Sequence, residues 1–115
     1  MKLTLPYPPS MNTYWRKWRN RMVISDHGRR YRRDVALLVH QHRGRFEEPV
    51  RLGVAVDLWQ PDGRRRDIDN TQKCLLDSLV SSEVIGDDSQ IDELHIKRCG
   101  VDRRNPRVEV TIEVL

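Results

Sequence analysis

The stretch Val50–Trp59, VRLGVAVDLW, decides the fold class. Val50, Leu52, Val54, Val56 and Leu58 occupy every second position, which in an extended chain puts all of them on one face. A helix would scatter the same residues around its axis, so this is a strand with one buried side. The QPDG that follows, Gln60–Gly63, is a turn, because Pro61 fixes φ and Gly63 admits a positive one. Beyond it the spacing predicts a helix from about Asn70, with Leu75, Leu76, Leu79 and Val80 on its apolar side. "IGDD" makes another turn. Ile91–Lys97 and Arg107–Val114 then read as two final strands, for which a hairpin is the simplest pairing.

Upstream, Lys2–Tyr7 alternates apolar and polar residues between prolines, which suits a short edge strand. Residues 8–25, PPSMNTYWRKWRNRMVIS, read as an extended, irregular connection. Ser25 is an N-cap for a helix running to about His42, with Tyr31, Val35, Leu38 and Val39 as its apolar stripe. The order is β-α-β-α-β-β. It fits an α/β (α+β) fold in which helices pack on one face of a mixed sheet, with the strand order left open. No repeat or linker divides the chain, so residues 1–115 are read as one domain.

Charge narrows the partners. The formal net charge is +4, a balance that suits a polyanion, and nucleic acid is the commonest one. No segment is apolar for long enough to span a bilayer, and MKLTLPYPPS makes a poor signal peptide, so a cytoplasmic protein without a membrane partner is expected. Cys74 and Cys99 have no CxxC spacing and read as reduced thiols. His40 and His42, two apart on a helix, point to different faces and offer no zinc site. Neither a Walker A loop nor GxGxxG is present, so no nucleotide cofactor is expected.

The chemistry concentrates in Arg64–Lys73, RRRDIDNTQK. In an extended segment with Ile68 turned inward, Asp67 and Asp69 face out together. Asn70 is then the N-cap of the second helix, and Lys73 stands one turn along, close to the Asp69 carboxylate. The helix dipole disfavours a cation in that first turn, so helix propensity does not explain the lysine. Two converging carboxylates repel unless a proton or cation relieves them, and hard oxygen donors select Mg²⁺ or Mn²⁺. Asp87 or Asp88 could add a further ligand. Such a set suits phosphodiester hydrolysis, with Lys73 facing the developing negative charge. Spacing alone nevertheless favours a surface ion-pair cluster of Arg66, Asp67, Asp69, Lys73 and Asp77, because exposed charge pairs are so frequent.

Three separated segments change that balance. PDGRRRDIDNTQK, the later GDDSQI and the opening LPYPPSMNTYWR together resemble the RusA-type Holliday junction resolvases, in the same order and over nearly the whole chain. The resemblance implies a small homodimeric endonuclease with its own α/β fold. It would require Mg²⁺ or Mn²⁺ and nick four-way DNA junctions symmetrically. Residue by residue, it implies that Asp67, Asp69 and Asp88 hold the metal and that Lys73 assists the chemistry. Asp88 enters as the second member of the pair Asp87–Asp88. Gly63 departs from the pattern, standing where a relative carries a basic residue and thinning the arginine run. Restriction-type nucleases match less well, since NTQK lacks their (D/E)xK element.

The basic residues complete the reading. Arg16, Lys17, Arg19 and Arg21 interleave with Tyr14, Trp15 and Trp18, and Arg29, Arg30, Arg32 and Arg33 follow. Phosphate contacts supply most sequence-independent affinity for DNA, and aromatics stack on unpaired bases. Equally, the tryptophans could pack in the core or in a dimer interface. Arg64, Arg65 and Arg66 would hold the scissile strand, or merely offset Asp67 and Asp69. One acidic constellation per chain and two symmetric nicks per junction call for a homodimer. The rivals are a non-catalytic module binding junctions or single-stranded DNA, and an RNA-directed nuclease.

Overall fold

The computed structural model describes residues 1–42 and 44–115. Val50–Trp59 forms the strand its alternation predicts, with ends shifted to Leu52–Gln60 (β4). Leu52, Val54, Val56 and Leu58 are buried, whereas Val50 lies outside the strand and is exposed. β4 is central in a four-stranded sheet of order β1-β6-β4-β5, where β1 is Lys2–Pro6, β5 Ile91–Val101 and β6 Arg107–Val114. β4 and β5 run parallel, joined through helix α3 (Gln72–Ser81), and the other pairs are antiparallel. The hairpin expected of the last two strands is therefore absent. β6 inserts between β1 and β4, and β5 takes β4's other side. The buried alternation of β6 explains this, since Val108, Val110 and Ile112 need neighbours on both sides to stay covered.

The helices cover one face, as expected. Helix α2, Asp26–Val39, begins at the predicted cap, with the Ser25 hydroxyl accepting the Gly28 N–H at 3.1 Å. It stops short of His42, and its buried stripe is Tyr31, Val35 and Val39, while Leu38 is exposed. These residues join Leu75 and Leu79 of α3 and the inner residues of β1, β4 and β6 in one core.

Residues 8–25 are not irregular. Ser10 caps a short helix α1, Met11–Tyr14, and Trp15–Trp18 (β2) pairs antiparallel with Arg21–Ile24 (β3). Arg19 and Asn20 make the turn with φ of 46° and 61°. A two-residue turn with both φ positive matches the twist of a hairpin, but it usually announces itself with glycine. Gly28 lets α2 approach this arm: a Cβ there would lie 2.6 Å from Cδ1 of Tyr14.

Candidate functional site

The loop between β4 and α3 is held by its own charges. Arg66 donates to Asp62 at 2.7 Å, and the Arg64 N–H donates to the same carboxylate at 2.9 Å. Those bonds, the guanidinium first, pull the Asp62 carboxyl from 3.8 down to about 2. The Arg66 carbonyl in turn accepts from Arg98 of β5 at 2.7 Å. Asp67 to Asn70 is a turn, closed by the Asn70 N–H on the Asp67 carbonyl at 3.2 Å, and not an extended segment. Ile68 is accordingly 42% exposed, not anchored inward. Asp67 and Asp69 are both exposed, and among the described residues neither carboxylate has a hydrogen-bond or ion-pair partner.

Helix α3 starts at Gln72 behind Thr71, which makes no side-chain capping bond. Asn70 is not the cap; its carbonyl instead accepts the Met11 N–H at 2.8 Å, tying α1 to the loop. Lys73 makes its ion pair with Asp77 at 3.1 Å, one helical turn on, and not with Asp69. The hydroxyl of buried Tyr14 donates to the other oxygen of Asp77 at 3.0 Å. Burial, then the Asp77 charge, push the Tyr14 phenol up, so it stays a proton donor. Thus the ion-pair cluster forms only in part: Lys73–Asp77 and Arg66–Asp62 exist, while the two central aspartates are left out.

Asp88 stands on a different support. It opens a 3-10 turn, Asp88–Gln90, which Asp87 caps by accepting from the Ser89 N–H and hydroxyl. The Ser89 hydroxyl chiefly lowers the Asp87 carboxyl, which is committed to the turn. The Asp88 carboxylate is exposed and makes no such bond among the described residues. Beneath it, Gln90 is 1% exposed and fully engaged. Its Oε1 accepts from the N–H groups of Gly86 and Asp87 at 2.8 and 2.9 Å. Its Nε2 donates to the carbonyls of Val50 and Phe46 at 3.0 and 3.4 Å. Gln90 is the support that residue types alone did not reveal, whereas Asp77 belongs with Lys73 to the ion-pair cluster expected from the sequence and does pair with it. A glutamine directly before a strand, after an acidic turn, was the available signal for it.

The two acidic groups lie at opposite ends of the crossover. Asp67 and Asp69 follow the C-terminal end of β4, whereas Asp88 precedes Ile91, which pairs with Leu52 at the start of β4. Helix α3, 10 residues and about 15 Å long, runs between the two ends. Among the described residues no three His, Cys, Asp or Glu side chains come together as a metal site. Asp67 and Asp69 are neighbours; Asp88 of the same chain is not one of them.

The basic residues form two patches. Arg64, Arg65 and Arg66 line a cleft of about 410 Å³ with Tyr7, Ser10 and Asn70. Arg66 is spent on Asp62, but the Arg64 side chain is 85% exposed. Arg16, Lys17, Arg19 and Arg21 are exposed on the hairpin. Tyr14 and Trp15 pack into or against the core, while Trp18 is 39% exposed with the guanidinium groups of Arg19 and Arg21 over its ring. On α2, Arg29 is paired with Asp26 and Arg32 donates to Ser81 at 3.2 Å, leaving Arg30 and Arg33 exposed beside them. No helix among the described residues is long and apolar enough to cross a membrane.

Comparison with known proteins gives these features a common context. The chain is 43% identical over 97 residues to the crossover junction endodeoxyribonuclease rusA of Enterobacteria phage HK97, covering 84% of this chain and 81% of the relative. It is 34% identical over 110 residues to the crossover junction endodeoxyribonuclease RusA of Escherichia coli (strain K12), covering 96% of this chain and 91% of the relative. The protein of the same name from Enterobacteria phage 82 matches at 34% over the same shares of the two chains. The profile of the Endodeoxyribonuclease RusA family matches residues 6–113, a span that takes in both acidic groups and both basic patches. The chain belongs to the RusA endodeoxyribonuclease family.

Proposed function

We propose that this chain is a single-domain, Mg²⁺- or Mn²⁺-dependent endonuclease that resolves four-way DNA junctions by paired symmetric nicks, as a cytoplasmic homodimer. The observation that carries the reading is the pair Asp67 and Asp69: two exposed carboxylates without partners, flanked by arginines. Left bare, they would repel the phosphates that Arg64 and Arg65 attract. Occupied by a hard cation, they join the same attraction, and their all-oxygen chemistry fits Mg²⁺ or Mn²⁺. Bound there, the metal would polarise a phosphate oxygen and lower the pKa of a water molecule.

The chain's own residues do the rest. Arg64 and Arg65 grip the scissile strand, and the hairpin and α2 arginines, including Arg16, Lys17, Arg19, Arg21, Arg29 and Arg30, bind the arms. Lys73, held by Asp77, faces the charge that develops on the cleaved phosphate. Asp88 belongs to the site of the second copy. Its separation from Asp67 and Asp69 along α3 supports a site completed across the dimer, and two such sites match the junction's two-fold.

The experiment is a Mg²⁺ titration of the purified chain on matched four-way and linear duplex DNA, with the nicks mapped. The expected result is metal-dependent paired nicks on the junction alone. Junction binding that ignores Mg²⁺, with no cleavage, would establish a non-catalytic binding module instead, and preference for RNA duplexes an RNA nuclease.

A further inference from the structure

We infer that the free edge of β5 is the dimer interface, pairing antiparallel with β5 of a second copy about a two-fold axis through His95. This rests on the homodimer reading and names its surface. β5 has 11 residues and is bonded on one side only, to β4. A long free edge is a template for another strand. The opposite edge, β1, is protected by having 5 residues and ending in Pro6; β5 has neither protection.

The residues of β5 specify what should sit on it. Irregularities in the β4 pairing fall after Leu52 and after Leu58, leaving Glu93–Arg98 as a regular run. Laid antiparallel on itself about His95, that run sets Glu93 opposite Lys97 and Leu94 opposite Ile96. Opposite charges meet and apolar residues meet, and every pair occurs twice. Moving the axis to Leu94 sets Asp92 against Ile96, and moving it to Ile96 sets Leu94 against Arg98. A shift of one residue would turn the faces against each other. Only the axis at His95 satisfies both patterns.

The monomer leaves the central pair free, whereas Asp92 is held by Arg51 and Arg98 by the Arg66 carbonyl. Glu93 and Lys97 have no ion-pair partner among the described residues. Leu94 shares the helix-side face through its register with Val54, yet it is 39% exposed, whereas Ile96 two residues on packs against the core. The pairing also orders the two ends. Antiparallel β5 strands put the start of one, with Asp88, beside the end of the other, where Arg98 holds the Arg66 carbonyl and with it the loop of Asp67 and Asp69.

Charge reversal and cross-linking test the surface together, by sedimentation equilibrium of the full chain with far-UV circular dichroism as the folding check. Glu93→Lys and Lys97→Glu should each weaken the dimer about tenfold, and the double exchange should restore it to within about threefold. In a Cys99→Ser background, His95→Cys should form a disulfide-linked dimer on oxidation, as opposed positions lie within disulfide reach, and Thr4→Cys on β1 should not. Folded single variants that dimerise as tightly as wild type, with no cross-link at position 95, would overturn the β5 interface while leaving the homodimer intact. A wild-type chain that stays monomeric, alone and on a junction, overturns the homodimer itself.

Discussion

The two ends of the crossover from β4 through α3 to β5 both present aspartates, but they hold them differently. At the α3 entry, a loop of paired charges and backbone bonds presents Asp67 and Asp69 in a turn exposed to solvent. At the exit, Asp88 rides on a turn fixed from below by one buried glutamine with four bonds to backbone. The first support is electrostatic, screened by salt and open to adjustment when phosphate arrives. The second is a satisfied buried polar group, which is stiff and costly to disturb. If Asp88 completes the site of a second copy, as proposed, the stiffer mount suits it, because no contact within its own chain would correct its position.

The largest effect is expected from Asp69→Asn, which should lower junction nicking by about a thousandfold or more while leaving junction affinity within about threefold. Single-turnover cleavage and a gel-shift titration check the two halves, and full cleavage by the variant would remove Asp69 from the site. Next, Gln90→Leu strands the Asp87 N–H and the Val50 carbonyl, while the Gly86 N–H keeps its bond to the Phe46 carbonyl, and should cost about 1–3 kcal/mol in urea unfolding. Wild-type stability would mean that water replaces the amide and that the turn is not stiff. Asp77→Ala frees Lys73 and leaves the buried Tyr14 hydroxyl unpaired, for a loss of about 1–2 kcal/mol and a smaller fall in cleavage rate than Asp69→Asn causes. Asp77→Asn, which keeps an acceptor for Tyr14, should recover most of the stability and not the rate.

The smallest effect belongs to Asp62. Its carboxyl is lowered from 3.8 to about 2 by Arg66 and the Arg64 N–H, so its contribution to stability is present above about pH 4. That contribution disappears as pH falls from about 4 through 2. Melting temperatures of wild type and Asp62→Asn should therefore converge across that window, and a gap that persists at pH 2 would assign the loss to something other than the charge.

How far the molecule could be read from its residues follows the same division between local and distant causes. The alternation of Val54, Val56 and Leu58, the Ser25 cap and the Leu75–Leu79 spacing are local signals, and each gave its element. The hairpin of β2 and β3 was invisible because its turn uses Arg19 and Asn20 where glycine would have marked it. β6 lies between β1 and β4 for a reason spread over three strands, which no window of sequence contains. Asp67 and Asp69 could be picked out, and they do face solvent, although a turn that exposes Ile68 achieves it and not an extended segment. Lys73 was legible as out of place in a first helical turn, but its partner proved to be Asp77. The position of Asp88 depended on the parallel pairing of β5 with β4, so its distance from the other aspartates became apparent only in three dimensions.

The central claim, that each site combines Asp67 and Asp69 of one copy with Asp88 of the other, has a direct measurement. Asp69→Asn and Asp88→Asn, each inactive alone, are mixed in equal amounts, allowed to exchange subunits, and assayed for nicks on a four-way junction. Half of the dimers will be mixed, and each mixed dimer has one site with all of its aspartates, so about a quarter of wild-type nicking should return, as single nicks without paired resolution. Mixtures that stay as inactive as their components, with subunit exchange shown by a tagged copy, would mean that each chain builds its site alone.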